Sequence, residues 1–344
     1  MNQNNELIEQ ICYNGNLKDI KKLINNKDID INNCLKINFI MNFNSFSHAN
    51  DKNNYKINKY LIENGADIHF DNDSMLISYS KLGIFKMVKL LVENGADIHV
   101  NDDYVLRKSL DKEYFEIFKY LIDNGANIHA DDDYVLREVC RLENIFKDNN
   151  LIKYLVEHGA NIHAKNNYCF KLFIIEGNIS LIKYFLNNGI DIHTENDYAI
   201  RKSAKNGYLG IVKYLLENGS DIHASFDYAL RKSSEKCYLD VVNYLIDNGA
   251  DIHSQDEYAL CKSCKKGHLE IVKLLINKGA NIHINDDYPL RISSEKGYLE
   301  IVKLLIDKGA DINAKNNYAF KISIINNNKE ITNYLIEKGV NKLN

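Results

Sequence analysis

The chain is predicted to be an all-α solenoid of about eleven helix-turn-helix units, and three observations carry that prediction. A glycine recurs at Gly65, Gly95, Gly125, Gly159, Gly189, Gly219, Gly249, Gly279, Gly309 and Gly339, thirty residues apart except for four extra between Gly125 and Gly159. An apolar stripe at helical spacing precedes it, as in Leu299, Val302, Leu305 and Ile306 before Gly309. A second glycine, such as Gly297, splits the interval. Self-similarity at such a period marks stacked helical repeats, each contacting only its neighbours.

The stretch from Asp286 to Ile312 shows the unit. Tyr288 to about Lys296 reads as a short first helix, whose first turn tolerates Pro289, the chain's one proline, because N–H groups there lack intrahelical partners. Leu299 to about Lys308 reads as the second helix, ended by Gly309, where a positive φ is wanted. The opening unit, 1–33, is irregular and reads as an N-terminal cap: a first helix Glu6 to Asn14, a break at Gly15, a second helix Leu17 to Asn25. Stacked units fill 34–316. The second carries an extra stretch near 43–53, read as a loop with Phe43 and Phe46 tucked against the stack, before a helix at Tyr55 to Asn64. The fifth holds the four-residue insertion within 141–150, and Asn149 replaces its expected helix leucine, which predicts a local irregularity. Residues 317–344 form the C-terminal capping unit. Its Asn327 stands where Gly297 does, a mild change for the residue that best accepts φ > 0; Glu113 and Cys237 at that position are less comfortable.

These units resemble the ankyrin repeat. Gly267-His268-Leu269-Glu270-Ile271-Val272, then Leu274-Leu275 and Gly279-Ala280-Asn281-Ile282, follow that family's pattern, and Tyr288-Pro289-Leu290-Arg291 matches its Thr-Pro-Leu-His segment with Tyr for Thr and Arg for His. Each unit is about three residues shorter than the usual thirty-three, at the place of the protruding finger. This shortened form, rich in Asn, Ile, Lys and Tyr, is similar to ankyrin proteins of giant DNA viruses of amoebae. The resemblance implies a protein–protein interaction module with an unidentified protein partner and no catalysis. A structural scaffold element without a single partner is the alternative. An adaptor for ubiquitin ligation is the third reading, disfavoured because no room for a recruiting box is expected after the last unit.

Composition agrees with a binding module. Across 344 residues the formal net charge is −4, which supplies no polycation for nucleic acid and no basic face for anionic lipid. No run of eighteen apolar residues occurs and MNQNNELIEQ does not read as a secretory signal, so neither a membrane nor an export route is expected. Seven cysteines, odd in number and scattered, fit a reducing compartment. An intracellular, cytoplasmic and monomeric protein is expected, in the cytoplasm or nucleus of a host cell if viral. Cys12, Cys140 and Cys264 share the position of Ser294, a small buried slot. Cys261 and Cys264 form a lone C-x-x-C without a second pair, so no zinc site is expected.

Three residue types recur once per unit. The histidines His69, His99, His129, His163, His193, His223, His253 and His283 suggest a metal array, but stacked helices stand roughly 8–10 Å apart, too far to share zinc at about 2.0–2.1 Å per ligand. By the family resemblance, they sit at a polar loop position whose side chains bond neighbouring loops. Tyr104, Tyr134, Tyr168, Tyr198, Tyr228, Tyr258, Tyr288 and Tyr318 alternate with cations three residues on, among them Arg107, Arg137, Arg201, Arg231 and Arg291. Stacking on single-stranded nucleic acid is opposed by the carboxylates before each Tyr, such as Asp102-Asp103. Those acids are expected to cap the first helix, with Tyr and Arg filling the volume of the shortened finger. Ser203, Ser233, Ser263 and Ser293 are one repeated small position, and a repeated residue does not suggest a unique nucleophile. No enzyme, metal or cofactor is expected.

Specificity is assigned to exposed positions that differ between units. These are the loop tips Asn196, Phe226, Asp256 and Asp286, and residues before the inter-helix glycine: Lys205, Glu235, Lys236, Lys265, Lys266, Glu295 and Lys296. In the ankyrin family both sets lie toward the concave, ligand-facing side. Phe226 is the one large apolar residue among polar tips.

Overall fold

Residues 10, 17–25, 29–43, 51–146 and 149–340 are described by the computed structural model, which is helical throughout these stretches with no strand among them. Two compact units divide the chain, Met1–Asn166 and Asn167–Asn344. The first holds α1 (Leu17–Asn25), α2 (Ile31–Phe43), α3 (Lys52–Glu63), α4 (Phe70–Leu82), α5 (Phe85–Glu93), α6 (Val100–Asp111), α7 (Phe115–Asp123), α8 (Ala130–Phe146) and α9 (Asn149–Glu157). At the boundary α10 (Ala164–Glu176) opens the second, followed by α11 (Ile179–Asn187), α12 (Thr194–Asn206), α13 (Leu209–Glu217), α14 (Ala224–Glu235), α15 (Leu239–Asp247), α16 (Ser254–Lys266), α17 (Leu269–Asn277), α18 (Ile284–Lys296), α19 (Leu299–Asp307), α20 (Ala314–Ile325) and α21 (Lys329–Glu337). Within each unit first helices stack on first helices and second helices on second helices, so the all-α helical-repeat solenoid expected from the sequence is observed.

The apolar stripes form the core. Ile271, Val272 and Leu275 of α17 are fully buried, as are Leu260 and Cys264 of α16. The small slot is confirmed at three further positions: Cys140, Ser234 and Ser294 have no exposed surface. Cys12 lies outside the described residues, as does the first helix expected over Glu6 to Asn14 apart from Gln10, which is helical, while α1 coincides with the expected second helix.

The loop before each first helix differs from expectation. Asn285, Asp286 and Asp287 have φ of 50, 56 and 53°, one complete left-handed turn ahead of the right-handed helix that starts at Tyr288. Among the described residues nine repeats carry this turn, and its middle residue is always the tip: Asn72, Asp102, Asp132, Asn166, Asn196, Phe226, Asp256, Asp286 or Asn316. For a residue with a Cβ this conformation costs about 1–2 kcal/mol, least for Asn and Asp. The arginine of the Tyr-x-x-Arg pattern offsets part of that. Arg291 Nε donates to the Asp286 carbonyl at 2.9 Å and Nη2 to the Asn285 carbonyl at 2.7 Å, and Arg137, Arg201 and Arg231 repeat the pair of bonds. The same guanidinium lies 5.6 Å from the Tyr288 ring centroid and 5.4 Å from that of Tyr318 in the next repeat. The Tyr–Arg series is therefore engaged within the stack, as the sequence suggests, with the turn's carbonyls as an added partner.

The acid before each tyrosine has a different partner from the helix-capping one expected. Because Asp287 is itself left-handed, its side chain turns into the repeat interface, where it is 6% exposed. Its Oδ1 accepts the backbone N–H of Asp311, twenty-four residues on, at 3.0 Å. Asp73, Asp103, Asp197 and Asp227 make the same bridge. Asp133 reaches twenty-eight residues on, to Asn161, which carries it across the insertion.

On either side of both insertions the described residues remain helical. The four extra residues of the fifth repeat lengthen α8 to seventeen residues, so its irregularity is a longer first helix. In the second repeat, α2 runs to Phe43 and α3 starts at Lys52, three residues earlier than expected, because the Asp51 carboxylate accepts the N–H groups of Asn53 and Asn54 at 2.7 and 3.1 Å. The Phe43 side chain and residue Phe46 lie outside what is described. Beneath α3 a buried amide cluster replaces apolar packing: Asn38 Nδ2 donates to Asn54 and Asn58 at 2.8 and 2.7 Å, and Asn58 Nδ2 to the Tyr79 hydroxyl at 3.2 Å. Burial pushes the Tyr79 phenol up to about 12.

Candidate partner-binding surface

Left-handed turns place the tips outward. Asn196, Asp256 and Asp286 are exposed, and Phe226 is 71% exposed. The Phe226 backbone is fixed from two sides, since its carbonyl accepts Arg231 Nε at 2.7 Å and Ser254 Oγ, from the next repeat, at 2.9 Å. Beside it lies an open cleft of about 560 Å3 between two loops, walled by His223, Phe226, Asp251, His253, Gln255 and Asp256. The surface there is an aromatic ring next to carboxylates, on a backbone already held in place.

The second set lies at the other end of the first helices. Nine residues separate Asp286 from Glu295, and at 1.5 Å per helical residue the two rows stand about 13 Å apart. Lys236, Lys265, Lys266 and Lys296 are exposed, and Lys205 is half-buried. Glu235 and Glu295 are half-buried and face inward contacts. Glu235 Oε2 accepts Lys232 Nζ at 2.7 Å and the Tyr258 hydroxyl of the next repeat at 3.0 Å, and Lys232 holds its carboxyl below the ordinary value. Glu295 takes Lys296 Nζ at 2.9 Å and the Tyr318 hydroxyl at 3.4 Å. The structure therefore brings acidic tips into one row and basic helix ends into another, and ties the two glutamates into the stack. Ile175, 50% exposed two residues before Gly177, occupies the Lys205 position and was missed by reasoning that looked for charge there.

The histidines are bonded within their own loops. His253 Nδ1 lies 2.5 Å from Glu257 Oε1, and His223 Nδ1 lies 3.0 Å from Asp227 Oδ1. Each imidazole is more than half exposed while its acid is buried, and it is Asp227, not His223, that bridges to the next repeat, through the Asp251 N–H at 2.8 Å. Among the described residues no group of three or more His, Cys, Asp or Glu could hold a metal ion. Burial raises the Cys261 thiol to about 12 and Cys264 higher still, the opposite of an activated pair.

The hydrogen bond to Glu257 raises the pKa of His253, and that to Asp197 raises His193, above the ordinary 6.5. A raised folded-state value means that protonation favours folding. This contribution is complete below pH 6.5 and fades as the pH climbs through the folded value. Proton-detected titration should find both imidazoles above the ordinary value, with Glu257→Gln returning His253 to it. An unmoved His253 in that variant would show that the pair has no electrostatic effect.

The family model for ankyrin repeats (three copies) matches residues 8–102, 46–132, 136–226 and 228–316. No curated protein matches the sequence. The likeness to giant-virus ankyrin proteins thus rests on the shortened unit and the composition alone. Among the described residues no helix is long and apolar enough to cross a membrane. With family models matching most of its length and every described repeat built as a helix pair, the chain belongs to the ankyrin-repeat family.

Proposed function

We propose that the chain binds a partner protein through the loop tips and first-helix ends of its C-terminal unit, centred on Phe226. Ankyrin repeats are generally protein–protein interaction modules; the choice of surface rests on one observation. Phe226 holds a left-handed φ of 57° at a position that eight other repeats fill with Asn or Asp, the residues that conformation favours. An exposed phenylalanine adds strain to the turn and nothing to the core, so its contribution is to recognition. An aromatic anchor ringed by polar groups is also the usual make-up of a binding centre. The exposed lysines Lys236, Lys265 and Lys266 add charge that steers approach. A cytoplasmic setting and a viral source remain part of this reading, supported by cysteine usage and composition.

The test uses a partner recovered by affinity capture and then purified. Reversing Lys236 and Lys265 to glutamate should change the association rate and its salt dependence more than dissociation. Reversing Lys213 and Lys273, exposed on the second helices, should do neither. The opposite pattern would assign binding to the second-helix face.

A further inference from the structure

A second cleft lies far along the sequence from Phe226, in the N-terminal unit. The second helix α5 begins ten residues before Gly95, but α3 begins thirteen before Gly65, so α3 carries almost an extra turn at its start. That turn exists because Asp51 caps it. It overhangs α5, and between the two is a cleft of about 700 Å3. The half-buried Tyr55 ring lines it, over Ile84, Met87 and Leu90, which are at least 95% buried. Lys52, Lys56, Lys86 and Lys89 line its rim with Glu93 as the one carboxylate of the lining. Lys89 lies 3.8 Å from Glu93. Lys52, Lys56 and Lys86 have no ion-pair partner among the described residues, and the Asp51 carboxylate beside them is engaged by two backbone N–H groups. The uncapped start of α5 at Ile84 adds the positive end of a helix dipole.

We infer that this cleft seats a segment of a partner protein in which apolar side chains are flanked by carboxylates. Three ammonium groups with no ion-pair partner among the described residues, set around the Tyr55 ring, select negative charge at the edge and apolar groups at the centre. Its four lysines are exposed, so the cleft opens to solvent along its rim, whereas a small-molecule site encloses most of its ligand. A polypeptide lying along the two helices, as in helix-in-groove recognition, fits that openness better. The site shares no residue with the Phe226 surface and stands whether or not that surface binds.

Fluorescence anisotropy tests it with a short labelled peptide carrying leucines at helical spacing between glutamates, together with its Glu→Gln and Glu→Lys counterparts. Saturable binding of the acidic peptide is expected, weakening with salt and falling at least about tenfold in the glutamine counterpart. The triple variant Lys52→Gln, Lys56→Gln, Lys86→Gln should lose about tenfold while keeping the wild-type circular dichroism, since all three side chains are exposed. Phe226→Asn should bind the peptide like wild type. Equal binding of the acidic and basic peptides, indifference of the triple variant, or no binding would overturn the inference. So would binding that appears only when residues 44–50 are deleted, which would give the cleft to the chain itself.

Discussion

Replacing Phe226 by asparagine is expected to stabilise the protein and weaken partner binding at once. At φ 57° and ψ 60° the phenylalanine pays the left-handed penalty in full, and asparagine relieves much of it. A gain of about 1 kcal/mol in unfolding free energy is expected from chemical denaturation. The backbone bonds from Arg231 and Ser254 to residue 226 do not involve its side chain and persist. Phe226→Ala separates the two effects, because alanine carries a Cβ and stays strained: stability should hold while binding falls. Both variants should lose about 1–2 kcal/mol of binding to the captured partner. Full-strength binding by both would remove Phe226 from the interface. An unchanged denaturation midpoint in Phe226→Asn would show that the turn is relaxed by its arginine.

Gly267→Ala should lose about 2–3 kcal/mol of stability, for two separable reasons. Its φ of 79° disfavours any Cβ, and a Cβ built there would meet the Tyr298 ring of the next repeat at 2.6 Å. Gly83, Gly177 and Gly207 face Tyr114, Tyr208 and Tyr238 in the same way. One of the positions without glycine supports the reason. Cys237 keeps φ at 67°, and the residue thirty-one positions on is the smaller His268, whose Nε2 lies 3.1 Å from the Glu235 carbonyl. Tyr298→His in the Gly267→Ala background should therefore recover the steric part and leave the conformational part. A double-mutant cycle measured by denaturant unfolding gives the coupling directly. No coupling between the two substitutions would mean that the ring swings aside freely.

Much of the architecture was legible because a repeat compares the sequence with itself. The thirty-residue spacing of glycines, the stripe ending at Leu305 and the small slot at Cys264 and Ser294 follow from helix periodicity and backbone sterics, which are local properties. The Tyr–Arg series was rightly read as internal. The acids were placed at the correct loop but given the wrong partner, since a carboxylate before a helix suits a cap in isolation. The candidate surface was legible only as variation: Phe226 stood out by type, while nothing in its letter distinguishes Glu235, tied to Tyr258, from Lys236, which is free to meet a partner.

The sequence by itself determined the period, the helix pairs, the positions that must be small and the family they belong to. Only the tertiary structure decided how neighbours are joined. The Asp287 carboxylate finds an N–H twenty-four residues away, Arg291 closes the left-handed turn ahead of its own helix, and the early start of α3 opens a cleft above α5. Each depends on where a backbone already folded in one repeat presents its groups to the next. Local propensity carries no information about that until both repeats are in place.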